Sequence, residues 1–136
     1  MILAIDVGGT KMAAGLVARD GTVAASRLAA TPRDADAAAL WATLADLIEP
    51  LSGGAEGVGV GCGGPMTWPA GEVSPLNIPG WRGFPLRARL AGRFPGYRYA
   101  STTTPSAWPW PSTGRAPAGG APPCWAWWCP RVWAAG

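Results

Sequence analysis

Residues 5–11 read Ile5-Asp6-Val7-Gly8-Gly9-Thr10-Lys11, and this stretch governs how the rest of the chain is read. It closes a short apolar run, "MILAIDV", that fits a buried strand ending in a tight turn. A carboxylate at a strand end, two glycines and a hydroxyl place backbone N–H groups and Thr10 beside that turn. Such a turn can cradle phosphate oxygens, and Asp6 can hold a magnesium ion or orient its waters. Lys11 adds a point charge for phosphates. The same residues equally describe a plain Gly-Gly hairpin turn with a solvated aspartate. The GxxxxGK[ST] spacing of a Walker A loop is absent.

Working outward, Asp20-Gly21 is a turn pair between two moderately apolar segments of residues 11–31. It predicts a hairpin, and with the first strand a three-strand meander. From Asp34 the apolar spacing changes to threes and fours: Ala37, Leu40, Trp41, Leu44, Leu47, Ile48 and Leu51. That spacing predicts one face of a helix. Asp34 and Asp36 stand where a helix start favours carboxylates, and Pro50 with Gly53-Gly54 follows its end. "GVGVGCGGP" (57–65) predicts a second buried strand whose small residues allow close backbone approach. "GEVSPLNIPGW" (71–81) reads as an ordered loop and "FPLRARLAGRF" (84–94) as a short helix. The whole is an α/β pattern, and it stops at about Gly96.

Composition divides the chain at the same place. Residues 1–96 hold all eight acids, the one Lys and nearly all the Leu, Ile and Val. Residues 97–136 hold no acid, Leu or Ile, but six of the nine tryptophans and seven of the fifteen prolines. The net charge of +3 therefore comes from the C-terminal side. Its arginines, Arg98, Arg115 and Arg131, are too far apart to form a basic patch, which argues against nucleic acid. No run reaches transmembrane length, and no charged n-region with a cleavage site opens the chain; a cytoplasmic protein is expected. Three cysteines without CxxC or histidine support neither a disulfide framework nor a zinc site.

The second chemical signal is "GVGVGCGGP…GEVSPLNIPGW". It reads either as a glycine strand followed by a proline-shaped surface loop, or as the wall of a sugar pocket. In the second reading, Gly63-Gly64-Pro65 and Asn77 face sugar hydroxyls with backbone amides and a side-chain amide. Taken together, "LAIDVGGTKMAAGLV", "GVGVGCGGPM" and "GEVSPLNIPGW" resemble the ROK family of bacterial sugar kinases, above all its glucokinases, in order and approximate spacing. The resemblance covers about 95 residues. It implies the ribonuclease-H-like, actin-like ATPase architecture, with ATP bound between two lobes. It places Asp6, Gly8, Gly9, Thr10 and Lys11 at the phosphate and magnesium site, with Asp6 the candidate metal ligand, and Gly64, Pro65 and Asn77 at the sugar. It further implies phosphorylation of glucose or a related hexose at the 6-hydroxyl, and a parent family that is often homo-oligomeric.

The departures from that family are as informative as the matches. An Asn-Asp segment carrying the general base should follow Gly96, and then a phosphate loop like "GxxxSTGVGGG"; neither is present, and nor are the family's zinc motif and second lobe. Reading the third base of each codon with the first two of the next tests whether the tail is out of frame. Tryptophan has one codon, so several steps are forced. Trp108-Pro109 and Trp110-Pro111 yield Ala, Cys124-Trp125 Leu, and Trp125-Ala126 Gly. Trp127-Trp128 and Trp128-Cys129 yield Val, and Trp133-Ala134 yields Gly. The remaining steps are degenerate, but they permit residues 124–136 to be read as Leu-Gly-Met-Val-Val-Ser-Thr-Gly-Val-Gly-Gly-Gly, and Ser101–Pro105 to be read as His-Asn-Asp-Ala. Residues 1–96 are thus expected to be the N-terminal lobe of a ROK-type kinase. Residues 97–136 are expected to be out-of-frame and unstructured, leaving the chain without its catalytic base and inactive.

Two competing readings come from other classes. One is a small nonenzymatic binding module with a Trp/Pro-rich interaction tail. The other is a sugar-sensing regulator of the same family, which carries a helix-turn-helix ahead of the first strand; Met1 standing directly before that strand argues against it.

Overall fold

The computed structural model describes residues 1–104. Three strands open it: β1 (Ile2–Val7), β2 (Lys11–Val17) and β3 (Val23–Ala30), joined by tight turns as the meander requires. β1 pairs antiparallel with β2 from Ile2↔Val17 to Val7↔Met12, and β2 antiparallel with β3. The Asp20-Gly21 turn has Gly21 at a φ of 88°, a left-handed backbone that costs glycine least. The Asp20 carboxylate accepts the Thr22 N–H at 2.9 Å, an Asx turn.

Helix α1 (Ala37–Ile48) begins on Asp36, whose side chain accepts the Ala39 N–H at 2.8 Å as an N-cap. Leu40, Leu44, Leu47 and Ile48 are buried at the predicted spacing. Leu51 completes that face from a 3₁₀ segment, Glu49–Gly54, because Pro50 cannot supply the N–H that would continue the α-helix. Next come β4 (Gly57–Gly63), a two-stranded ribbon of β5 (Met66–Thr67) and β6 (Glu72–Val73), and helix α2 (Leu86–Arg93). The predicted glycine strand and second helix are both present.

The strand expected least is β7 (Arg98–Thr104), which lies beyond Gly96 and pairs in parallel with β4 from Gly57↔Arg98 to Gly63↔Thr104. The boundary read from composition therefore falls one strand short of the end of the sheet. "RYASTTT" shows no apolar alternation; its place in the described sheet is given by its parallel ladder with β4. The chain entering it is tied down by two phenols. Tyr97 Oη donates to Ser52 O at 3.1 Å, and Tyr99 Oη to Leu90 O at 3.0 Å. Residues 98–104 of the segment expected to be unstructured thus form a strand; the rest of that expectation, with the Trp-rich stretch, falls on residues 105–136, outside the described residues.

The sheet order is β3-β2-β1-β4-β7, with β1, β4 and β7 parallel. One face carries Leu3, Ile5, Val7, Met12, Ala14, Val58, Val60 and Cys62, which form the core with the buried face of α1. The other face is paved with small residues, Ala4, Ala13, Gly15, Gly59 and Gly61, and carries Asp6 among them. The carboxyl ends of β1, β4 and β7 share one edge of the sheet, where ligands bind in open α/β sheets.

Trp81 locks the loop that follows β6 to this core. It is wholly buried, stacks on Phe84 at 4.3 Å between ring centroids, and donates Nε1–H to Ala37 O at 3.3 Å. Trp81→Ala is expected to lower unfolding stability in urea by about 3–5 kcal/mol. Trp68→Ala, at a position 68% exposed, should cost no more than about 1 kcal/mol. Equal midpoint shifts for the two would contradict this anchoring.

Candidate functional site

The β1–β2 turn is a two-residue hairpin loop. Gly8 donates its N–H to Lys11 O at 3.0 Å, leaving Gly9 and Thr10 at the tip, beyond the last ladder pair. A side chain on Gly8 would put its Cβ 2.8 Å from Lys11 O, so the turn closes this tightly only with glycine there. Thr31 fixes the turn from the end of β3. Its hydroxyl donates to Gly8 O at 2.6 Å and its N–H to Thr10 O at 3.0 Å, and it is buried. Both carbonyls are thus occupied from behind, while Thr10 and Lys11 stand exposed in front. Sequence reasoning missed Thr31, since a lone threonine at a strand end carries no local signal of a partner 23 residues away.

Asp6 lies on the small-residue face one residue before the end of β1, opposite Ala13 and Gly61. It is half-buried, and burial pushes its carboxyl above the ordinary aspartate value, partly opposed by the Lys11 ammonium. Gly61 leaves room at its side; a Cβ there would lie 3.7 Å from Asp6 Oδ1. On the other face of β4, burial and then the charge of Asp6 push the Cys62 thiol up to about 12. That thiol is a core group and no nucleophile.

The glycine turn after β4 meets the loop after β6. Gly64 has a φ of 111°, and a Cβ on it would lie 2.8 Å from Ser74 O and 2.9 Å from Pro75 Cα. Pro65 O accepts the Ser74 N–H at 2.9 Å. The loop Ser74–Gly83 is closed at its base by a two-way bridge: Val73 and Phe84 exchange N–H···O bonds at 2.9 and 3.0 Å. Ile78 and Trp81 hold it from below in the core. Asn77, at its tip, is exposed and rests on Gly9: a Cβ on Gly9 would overlap Asn77 Cβ and lie 3.1 Å from Asn77 O.

The structure therefore brings the two sequence signals into direct contact. Gly8, Gly9, Thr10, Lys11 and Asp6 form one side, Gly64, Pro65 and Asn77 the other, and the Gly9–Asn77 contact is the seam. The second residue that sequence reasoning missed is Arg82, whose guanidinium lies on the carbonyls of the Asn77 loop. Among the described residues no group of three or more His, Cys, Asp or Glu could by itself enclose a metal ion. No helix among them is long and apolar enough to cross a membrane.

The ROK family model matches residues 2–107. An N-acetylmannosamine kinase from Escherichia fergusonii is 38% identical over 85 residues, covering 62% of this chain and 29% of its own length. The Shigella flexneri N-acetylmannosamine kinase is 37% identical over 86 residues, covering 62% of this chain and 30% of its own length. Among solved structures, a ROK family glucokinase from Streptomyces griseus in complex with glucose and AMPPNP matches with a TM-score of 0.64 at 28% identity. The match covers 75% of this chain and 32% of that one. A ROK hexokinase from Thermus thermophilus matches at 0.63 and 26% identity, over 75% of this chain and 34% of its own. The chain thus spans about three tenths of the length of the curated relatives it matches. The fold is the actin-like ATPase architecture that the motifs implied.

The burial of Asp6 sets a sign for its effect on stability. A carboxyl whose folded-state pKa is raised contributes stability below its ordinary value and loses it as pH climbs through the raised one. Asp6→Asn, which removes the buried charge and keeps the shape, should melt higher than the wild-type chain at about pH 7. The difference should shrink as pH falls toward about 3, where the aspartate is protonated in both states. A lower melting temperature for the variant at neutral pH would contradict this placement of Asp6.

Proposed function

Because this chain belongs to the ROK family, we propose that it carries the ATP- and sugar-facing part of an ATP-dependent sugar kinase acting on the 6-hydroxyl of glucose or a related hexose. The observation that supports this reading best is the Gly9–Asn77 contact. It sets a turn suited to phosphate oxygens against a loop suited to sugar hydroxyls, with no room for a side chain on Gly9. In this reading the N–H groups at the Gly9-Thr10 tip and the Thr10 hydroxyl receive phosphate oxygens, and Lys11 balances their charge. Gly64, Pro65 and Asn77 line the sugar, the glycine by admitting close backbone approach and the asparagine by donating and accepting through one amide.

The donor set fits magnesium. Asp6 is one partly desolvated carboxylate beside the turn, and magnesium is commonly held by one or two carboxylates together with nucleotide phosphates and water. When bound, the ion would supply charge neutralisation on the phosphates being parted. Asp6 would hold it directly or through water, and the cation would offset the cost of burying the charged carboxylate.

The described residues offer no carboxylate at the sugar edge to take the hydroxyl proton, and the out-of-frame reading accounts for this. Ser101–Thr104 lie on β7, with Thr103 paired to Cys62 and Thr104 to Gly63, immediately before Gly64. Read one base out of step, the codons of Ser101–Pro105 permit His-Asn-Asp-Ala. In the out-of-frame reading an Asn-Asp pair would fall at these positions, toward the carboxyl edge of the sheet, where a general base is needed. This supports glucokinase-like chemistry in the frame-restored product and none in the chain as it stands.

The test is a coupled kinase assay on two proteins. The purified chain should phosphorylate neither glucose nor N-acetylmannosamine. The product read in the other frame after Gly96, and continued through downstream sequence so that the second lobe of the family is included, should phosphorylate one of them in an ATP-dependent reaction. Activity of the unrestored chain would overturn the frame reading. A folded, restored product inactive on both sugars would overturn the kinase reading.

A further inference from the structure

We infer that Arg82 is a positioning residue for the sugar loop, holding Asn77 against the phosphate turn. This rests on the reading of Asn77 as a sugar contact. Arg82 itself is exposed and reaches neither the turn nor the proposed sugar groups by any hydrogen bond; it acts on the backbone beneath them.

Three consecutive carbonyls, Ser74, Pro75 and Leu76, converge on its guanidinium. Nη1 donates to Ser74 O at 3.3 Å and to Pro75 O at 2.9 Å, and Nη2 donates to Leu76 O at 3.4 Å. Three carbonyl dipoles pointing to one spot repel one another unless a cation with several N–H donors occupies it. The planar guanidinium fork meets that need and a lysine ammonium meets it less well. The contacts span the segment that leads directly into Asn77. Gly64 packs against Ser74 O, Pro75 Cα and Leu76 N of the same segment. The backbone is therefore held by two elements: a glycine that leaves no room for a side chain, and an arginine that satisfies the three carbonyls.

The next residues complete the support. Ser74 Oγ accepts the Gly83 N–H at 2.9 Å, so Arg82 is itself held beside the segment it clamps. Trp81, one residue earlier, is fixed in the core. Arg82 thus projects from a rigid anchor, and its three bonds transmit that rigidity to the tip of the loop. Without them, Ser74–Leu76 would retain the Gly64 contact but lose the donor to its carbonyls, and Asn77 would drift from Gly9.

The experiment is heteronuclear NMR on the whole chain, with Arg82→Gln, Arg82→Lys and, as a control, Arg27→Gln on exposed β3. In Arg82→Gln the Gly9 and Asn77 amide resonances should shift or broaden while Leu3 and Val60 in the sheet stay in place. Arg82→Lys should restore part of the wild-type pattern, and Arg27→Gln should leave both residues unmoved. Titration with D-glucose and with N-acetylmannosamine should show affinity weakened about tenfold or more in Arg82→Gln, the loss expected when charge-assisted bonds to the loop are removed. Unmoved Gly9 and Asn77 resonances in Arg82→Gln would overturn the inference. So would collapse of the whole sheet in both Arg82 variants, since that would make the arginine a general stabiliser. If the Gly9 and Asn77 shifts occur but the wild-type chain binds neither sugar, the positioning role stands and the sugar reading of Asn77 fails. Equal sugar affinities in wild type and Arg82→Gln would sink the positioning role and leave the sugar reading intact.

Discussion

The site depends on an approach of Gly9 to Asn77 that no side chain on the glycine could permit. Gly9, at the tip of the first hairpin, and Asn77, at the tip of a loop almost seventy residues later, meet where any Cβ on the glycine would collide. Each partner is held independently. The turn is bound from behind by Thr31, and the loop is fixed by Trp81, the Val73–Phe84 bridge, Gly64 and Arg82. The contact is the consequence of two rigid supports and draws little strength from its own few atoms. Such preorganisation suits phosphoryl transfer, in which positioning and charge stabilisation do most of the chemical work.

Charge follows the same plan. Around Asp6 the sheet carries small residues, Ala4, Ala13, Gly59 and Gly61, and water is partly excluded there. Burial holds its carboxyl above the ordinary aspartate value. A site that binds a cation beside phosphates has use for a carboxylate so placed. Lys11, exposed on the adjoining strand, offsets part of that shift without closing the site. The parallel edge formed by β1, β4 and β7 then aligns this carboxylate, the Gly64 turn and the backbone of Thr103 and Thr104 along one rim.

Much of this was legible in the residues. The apolar run before Gly8-Gly9, the Asp20-Gly21 turn and the spacing of Leu40, Leu44 and Leu47 each state a local preference that tertiary packing does not reverse. The glycine strand was legible too, because few other structures tolerate alternating Gly and Val. Long-range partners were not. Nothing adjacent to Thr31 says that its hydroxyl ends on Gly8 O, and nothing beside Arg82 distinguishes it from the other exposed arginines. β7 escaped for a different reason: its place is given by a parallel ladder with β4 and it shows no apolar alternation, so "RYASTTT" looked like the start of a featureless tail. The two glycine motifs could be assigned chemistry separately, but their contact is a property of the fold alone.

The most direct test of that contact is the nuclear Overhauser effect between Gly9 and Asn77 in the isotopically labelled chain. Protons on Gly9 Cα and Asn77 Cβ should give a clear cross-peak in the absence of any ligand, since the two residues touch. A well-dispersed spectrum with the hairpin and Trp81 contacts in place but no Gly9–Asn77 cross-peak would contradict the account, for the β1–β2 turn and the Asn77 loop would then be separate surfaces.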